Sequence, residues 1–161
     1  MNVLVIGSGG REHAIIQKLA ESPKVTRLFA YPGNGGMAGQ AVCIPGNVKD
    51  IPALVQAARD CRADFVVVAP DDPLVLGAVD ALHAAGFPCF GPDAKAAAIE
   101  GSKVFSKDLM RKDRIPTAEY RVFDDAAKAL AYLADAPIPI VVKADGLALG
   151  KGALVCMTRQ E

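Results

Sequence analysis

The chain has 161 residues, 52% of them apolar, and its eighteen basic and eighteen acidic side chains cancel. That length buries a real core in one large domain or two small ones and excludes a disordered chain, while the balanced charge gives no surface for nucleic acid or an anionic membrane. No apolar run approaches transmembrane length, no basic segment with a cleavage site precedes the first strand, and Cys43, Cys61, Cys89 and Cys156 form no C-x-x-C pair, so a cytoplasmic protein with buried reduced thiols is expected.

Val3 to Ile6 is a continuous apolar run rich in β-branched residues, the pattern of a buried strand in a parallel sheet. It runs into Gly7-Ser8-Gly9-Gly10-Arg11-Glu12-His13 and then into a segment with Ile15, Ile16 and Leu19 on one helical face. Strand, glycine loop and helix start aim unpaired N–H groups at one point, which suits a phosphate. A tight turn without a ligand is the other reading of the same residues.

Ser22-Pro23 ends that helix, Val25 to Tyr31 reads as a second strand, and a turn-rich loop, Pro32-Gly33-Asn34-Gly35-Gly36-Met37, follows it. Asp50 is placed to cap a helix that tolerates Pro52 in its first turn and turns Ala53, Leu54, Ala57 and Ala58 inward. Phe65 to Ala69 is the clearest buried strand. Pro70-Asp71-Asp72-Pro73 then leads into one helix over Leu74 to Leu82, closed by Gly86 at its C′ position, and Phe87 to Phe90 is a short strand. The alternation predicts an α/β, doubly wound, Rossmann-like parallel sheet with ligands at the carboxyl ends of its strands, where three glycine- or proline-rich loops fall.

From Gly91-Pro92 the composition changes. Ala94 to Glu100 and Ser102 to Lys112 read as two helical pieces separated by Gly101, the second carrying Lys103, Lys107, Arg111 and Lys112. Ile115-Pro116 breaks the helix, Glu119 to Phe123 reads as a strand, and Asp124 or Asp125 caps a helix through Leu133. Ile140 to Ala144 and Ala153 to Met157 read as two strands joined by a second glycine loop, Asp145 to Gly152. Two domains are expected, 1–101 and 102–161, and the ending at Glu161 directly after a hairpin reads as a truncation.

Gly7 and Gly9 fit a dinucleotide fingerprint, but its third glycine is Glu12 and Tyr31-Pro32-Gly33 replaces the ribose-binding carboxylate, which argues against a nicotinamide cofactor. The second loop resembles a Walker A motif without matching it: three residues separate Gly146 from Gly150, Gly152 stands in place of Ser or Thr, and a strand follows. A glycine-rich hairpin with Lys143 before it and Lys151 within it suits a lid over a triphosphate, and a plain hairpin is the alternative. A lysine about 4 Å from a phosphate charge gains roughly 4 kcal/mol before desolvation at an effective dielectric near 20. His13 and His83 lack ligand-spaced partners, so no metal or nucleophilic site is read from them. Asp71 and Asp72 are either a carboxylate pair or, the preferred reading, caps for the next helix.

Five segments in register, Val5 to Ala14, Pro32 to Gly36, Glu100 to Asp108, Ile115 to Tyr120 and Val142 to Gly152, resemble the phosphoribosylamine–glycine ligase (glycinamide ribonucleotide synthetase) family of the ATP-grasp superfamily. The resemblance implies an N-terminal α/β, pre-ATP-grasp domain that holds 5-phosphoribosylamine, followed by the beginning of an ATP-grasp domain. It implies ATP-dependent ligation of glycine to that amine, in purine biosynthesis, through glycyl phosphate. Gly9, Gly10, Arg11, Glu12, Pro32, Gly33, Asn34 and Asp71 match the substrate side. Lys103, Lys143, Gly146, Gly150, Lys151 and Gly152 match the ATP side. Mg²⁺ or Mn²⁺ would be held by ligands beyond residue 161, with none in this chain, and no catalytic residue is assigned. Asp71-Asp72 stands where the family has Glu-Ala, and Leu149 where alanine is usual. The alternative function is a non-catalytic α/β ligand-binding fragment.

Overall fold

A computed structural model describes residues 1–148 and 151–161, which form two compact units, Met1–Ala98 and Ile99–Glu161. Among the described residues no helix is long and apolar enough to cross a membrane.

In the first unit β1 (Asn2–Gly7) is followed by α1 (Gly10–Ala20), β2 (Arg27–Pro32), β3 (Val42–Cys43), α2 (Ile51–Asp60), β4 (Phe65–Val68), α3 (Asp71–Val75), α4 (Ala78–Ala84) and β5 (Cys89–Phe90). The strands pair in parallel in the order β3-β2-β1-β4-β5. The chain winds outward from β1 to β3 and then returns to the other side of β1, so the topological switch lies between β1 and β4, where such sheets bind ligands.

The period of two along each strand divides the core. Leu4, Ile6, Phe29, Tyr31, Val66 and Val68 pack on the α2 and α4 side with Leu54, Ala58, Val79 and Leu82. Val3, Val5, Leu28, Ala30 and Val67 pack on the other side with Ile16 of α1, Met37 and Ala41. Burial of each branched side chain stabilises the unit by about 1.5–3 kcal/mol, so β1, buried from Val3 to Gly7, anchors both layers. Local signals agree with this packing: the Asp50 carboxylate accepts from the Ala53 N–H at 3.0 Å and caps α2 beside Pro52. Leu54, Ala57 and Ala58 are buried as expected; Val55 is buried too, and Ala53 only half so.

Three features of this unit differ from expectation. The strand β3 has no local signature, since a two-residue edge strand is defined by its pairing with Phe29 and Ala30. The helix expected over Leu74 to Leu82 is two helices. Gly77, at φ +82°, takes the left-handed conformation, breaks the helix after Leu76 and starts α4 as its N-cap. Neither Asp71 nor Asp72 is a cap: Pro70 holds the N-cap position of α3, and both aspartates lie in its first turn.

The division between the units falls inside α5 (Ala94–Gly101). The second unit contains α6 (Lys103–Lys112), α7 (Ala126–Asp135), β6 (Ile140–Lys143) and β7 (Ala153–Cys156). Ser102 caps α6, its Oγ accepting from the Phe105 N–H at 3.1 Å, and Asp125 caps α7, accepting from the Lys128 N–H at 2.9 Å. The strands β6 and β7 form the expected antiparallel hairpin, with Lys143 opposite Ala153. The expected strand over Glu119 to Phe123 does not form. No described strand takes its backbone groups, and side chains of α6 hold the segment instead: Lys107 Nζ donates to Thr117 Oγ1 (2.7 Å) and to the Ala118 carbonyl (2.9 Å), and the Tyr120 hydroxyl donates to Asp108 (2.5 Å). Among the described residues of this unit only Ala136 and Cys156 are fully buried.

Candidate functional site

The carboxyl edge of the first unit's sheet is built by the loops after β1, β2 and β4. Gly7 is opposite Pro32 in the β1–β2 ladder, and the Gly33 N–H donates to the Gly7 carbonyl at 3.1 Å. Asn34 ties two loops together: its Nδ2 donates to the Ser8 carbonyl (2.8 Å), while its Oδ1 accepts from the N–H groups of Gly36 (2.8 Å) and Met37 (3.2 Å). Asn34 is thus a brace for the edge, with both ends of its amide engaged.

Glu12 is the one buried charged residue described, 4% exposed. Its Oε2 accepts from the Gly9 N–H at 2.7 Å, and its Oε1 accepts from Arg11 Nε at 2.9 Å. This is the carboxylate arm of a capping box whose other arm is missing, because Gly9 at the N-cap has no side chain. Gly7 makes the arrangement possible. At φ +124° it is in a backbone region that favours glycine, and a Cβ there would lie 2.5–2.9 Å from the Glu12 side chain. The buried Glu12 therefore supports the loop from within, and Arg11 is the exposed member of the pair.

Arg11 also reaches toward Asp71, at 3.8 Å, and Lys49 pairs with Asp72 at 2.8 Å. The two aspartates expected to cap a helix instead face two cations beside the switch point. Pro32, Gly33, Asn34, Gly9, Gly10, Arg11, Glu12 and Asp71 are all brought to this one edge. Lys49 was absent from the sequence reading, and no local pattern marks it, since its partner lies in another loop. The first turn of α1 starts at the same edge.

In the second unit the glycine loop is fastened at its start. The Asp145 carboxylate accepts from Ser102 Oγ at 3.0 and 3.2 Å and from the Val104 N–H at 3.2 Å. Lys103 Nζ donates to the Gly146 carbonyl at 2.7 Å. The Val104 N–H above all, helped by Ser102, holds the Asp145 carboxyl below the usual aspartate range, against the opposing effect of burial. Farther along, the Ala144 N–H donates to the Gly152 carbonyl and the Lys151 N–H to the Ala148 carbonyl, both at 2.8 Å. Lys143 and Lys151 are exposed, and Gly150 lies outside the described residues. Lys103 and Gly146 are thus in direct contact. Ser102 and Asp145 were not among the expected site residues, although a serine directly before a helix was a legible cap.

The cysteines are free thiols, with Cys61 and Cys156 buried and Cys43 and Cys89 half-buried. Burial pushes the Cys61 and Cys89 thiols up, toward the protonated form. Among the described residues no three His, Cys, Asp or Glu side chains cluster to hold a metal ion.

A doubly wound sheet with its glycine loops at the switch point, followed by a lysine-bearing helix fastened to a glycine hairpin, defines the class: an α/β domain leading into an ATP-grasp domain. Residues 1–100 match the family model described as "Phosphoribosylglycinamide synthetase, N domain", and residues 101–161 match "Phosphoribosylglycinamide synthetase, ATP-grasp (A) domain". The chain belongs to the phosphoribosylglycinamide synthetase family. It is 50% identical to the phosphoribosylamine–glycine ligase of Haemophilus influenzae and 51% identical to that of Escherichia coli K12, in each case over 100% of this chain and 38% of the relative. The crystal structure of phosphoribosylamine–glycine ligase from Thermotoga maritima matches with a TM-score of 0.77 at 28% identity, over 99% of this chain and 37% of that one. The chain therefore spans 38% of the length of the curated relatives it matches.

Proposed function

We propose that the complete open reading frame carrying this chain encodes a cytoplasmic enzyme that joins glycine to 5-phosphoribosylamine at the expense of ATP, giving glycinamide ribonucleotide, ADP and phosphate for purine synthesis. The glycine carboxylate attacks the γ-phosphorus of ATP, and ADP leaves. The phosphoribosylamine nitrogen then attacks the carbonyl carbon of glycyl phosphate, phosphate leaves, and the nitrogen gives up a proton. Both steps depend mainly on positioning and charge stabilisation.

The observation that carries this reading is the convergence of three strand-end loops on the switch point of the first unit, in a chain matched along its length by the two models of one ligase family. In this reading Gly9, Gly10, Arg11, Pro32, Gly33, Asn34 and Asp71 form the phosphoribosylamine side, with Glu12 holding Arg11 and the Gly9 loop from beneath. A phosphate suits the first turn of α1, where N–H groups, the helix dipole and the Arg11 guanidinium act together. Lys103, Lys143, Gly146, Gly150, Lys151 and Gly152 form part of the ATP side, where ammonium groups and loop N–H groups neutralise phosphate charge. ATP-grasp chemistry uses a divalent cation such as Mg²⁺. Among the described residues no cluster of His, Cys, Asp or Glu offers to hold one.

The test is release of ADP by the protein made from the complete open reading frame. ADP release that requires both glycine and phosphoribosylamine, with glycinamide ribonucleotide as product, is the expected result. Release independent of glycine, or none, refutes the assignment.

A further inference from the structure

Asp145 has no place in the proposed chemistry, yet its carboxylate joins the start of the glycine loop to the start of α6. Two donors converge on its carboxylate: the Ser102 hydroxyl, within 3.0 and 3.2 Å of its two oxygens, and the Val104 N–H. Ser102 and Val104 flank Lys103 in sequence, and Gly146 follows Asp145. The same junction therefore contains a second bond, from the Lys103 amine to the Gly146 carbonyl at 2.7 Å. Two bonded pairs side by side, each joining the start of α6 to the start of the glycine loop, form a clamp.

We propose that Asp145 is a positioning residue for nucleotide phosphates: it fixes the start of the glycine loop to the N-terminus of α6 and so holds the Lys103 amine at the mouth of that loop. The inference rests on the ATP reading above and deepens it. The physical grounds are geometric. A lysine side chain has four rotatable methylenes and samples many positions when its only neighbour is water, at a substantial entropic cost when a ligand has to order it. The bond to Gly146 removes much of that freedom in advance, provided the carbonyl is held in place. Asp145, the residue directly before Gly146, does the holding.

The clamp also explains why Asp145 carries a charge in a loop that would bind an anion. Its negative charge is directed to the first turn of α6, where the Val104 N–H and the positive end of the helix dipole meet it. A phosphate then encounters Lys103, while the carboxylate's oxygens are engaged by their own donors. Lys103 has to exchange the neutral Gly146 carbonyl for a phosphate oxygen, which favours the charged partner.

The test uses protein from the complete open reading frame, with Asp145→Asn, Asp145→Ala, Lys103→Met and the Asp145→Ala/Lys103→Met double variant. Asp145→Ala is expected to raise KM for ATP about tenfold, with KM for glycine and for phosphoribosylamine within about twofold of wild type. Asp145→Asn keeps an acceptor for the Val104 N–H and is expected to fall between. On the Lys103→Met background Asp145→Ala is expected to add less than twofold, because it acts through that lysine. Unchanged KM for ATP in Asp145→Ala, or independent additive effects, overturns the inference while leaving the ligase reading intact. An enzyme with no ATP dependence overturns both. Should Asp145→Ala fail to fold, Asp145→Asn and Ser102→Ala carry the same comparison, and equal KM shifts for all three substrates overturn the positioning role.

Discussion

Replacing Glu12 tests whether the first glycine loop is held from beneath. Glu12→Ala leaves the Gly9 N–H without its 2.7 Å acceptor, and an unsatisfied donor at this part-buried position costs about 1–3 kcal/mol. The lost contact to Arg11 adds little. The arginine side chain is 58% exposed, so solvent screening limits the pair to about 0.2–1 kcal/mol. The sum, about 2 kcal/mol, corresponds to a fall in Tm of roughly 8–16 °C for a cooperative unit of this size. Thermal unfolding followed by circular dichroism measures that fall, and amide hydrogen exchange at Gly9 localises it. Glu12→Gln keeps one acceptor oxygen for Gly9 but turns an amide donor toward Arg11, so a loss of about half that size is expected. Gly7→Ala supplies the cross-check. Its Cβ would clash with the Glu12 side chain, so the double variant Gly7→Ala/Glu12→Ala should lose less stability than the two single losses added together. A Tm for Glu12→Ala within about 2 °C of wild type, with Gly9 exchange unchanged, refutes the supporting role.

Leu54→Ala, at a position with no exposed surface between α2 and the sheet, should destabilise the first unit by about 2–5 kcal/mol, read as a lower urea midpoint with the same m-value. Lys143→Ala and Lys143→Met should impair ATP use in the complete enzyme far more than they lower Tm, since the lysine is exposed and its apolar strand neighbours stay; equal losses of both would contradict an ATP role. Limited proteolysis should leave residues 1 to about 92 protected and cut first within Ile99–Glu161, where burial is sparse; early cleavage within Phe65–Val68 would contradict the division. The Asp145 clamp should persist below the pH at which an ordinary aspartate protonates. Because its folded pKa is depressed, its contribution is complete above the unfolded value and is lost as pH falls through the folded one, which the Val104 amide shift reports.

The sequence by itself determined the elements whose causes are local. The run Val3 to Ile6 reads as a buried strand, Asp50 with Pro52 two residues on reads as a helix start, and the paired glycine motifs mark the loops at which ligands are expected. Alternation of strand and helix was enough for the doubly wound sheet, since parallel strands need crossovers and the crossovers carry the helices. Tertiary structure decided what depends on partners distant in sequence. The strand read into Glu119 to Phe123 had the right residues, but no described strand takes its hydrogen bonds. The helix read through Gly77 had the right periodicity, but its backbone turned left-handed there. Asp71 and Asp72 sit where caps often sit, yet Arg11 and Lys49 are brought to them from other loops. That the Glu12 carboxylate is buried beneath the Gly9 loop, in the space left by Gly7, was likewise decided by packing. Asp145 looked like part of a turn until the fold brought Ser102 and Val104 to its carboxylate, because a hydrogen bond is specified by position in space and leaves no pattern along the chain.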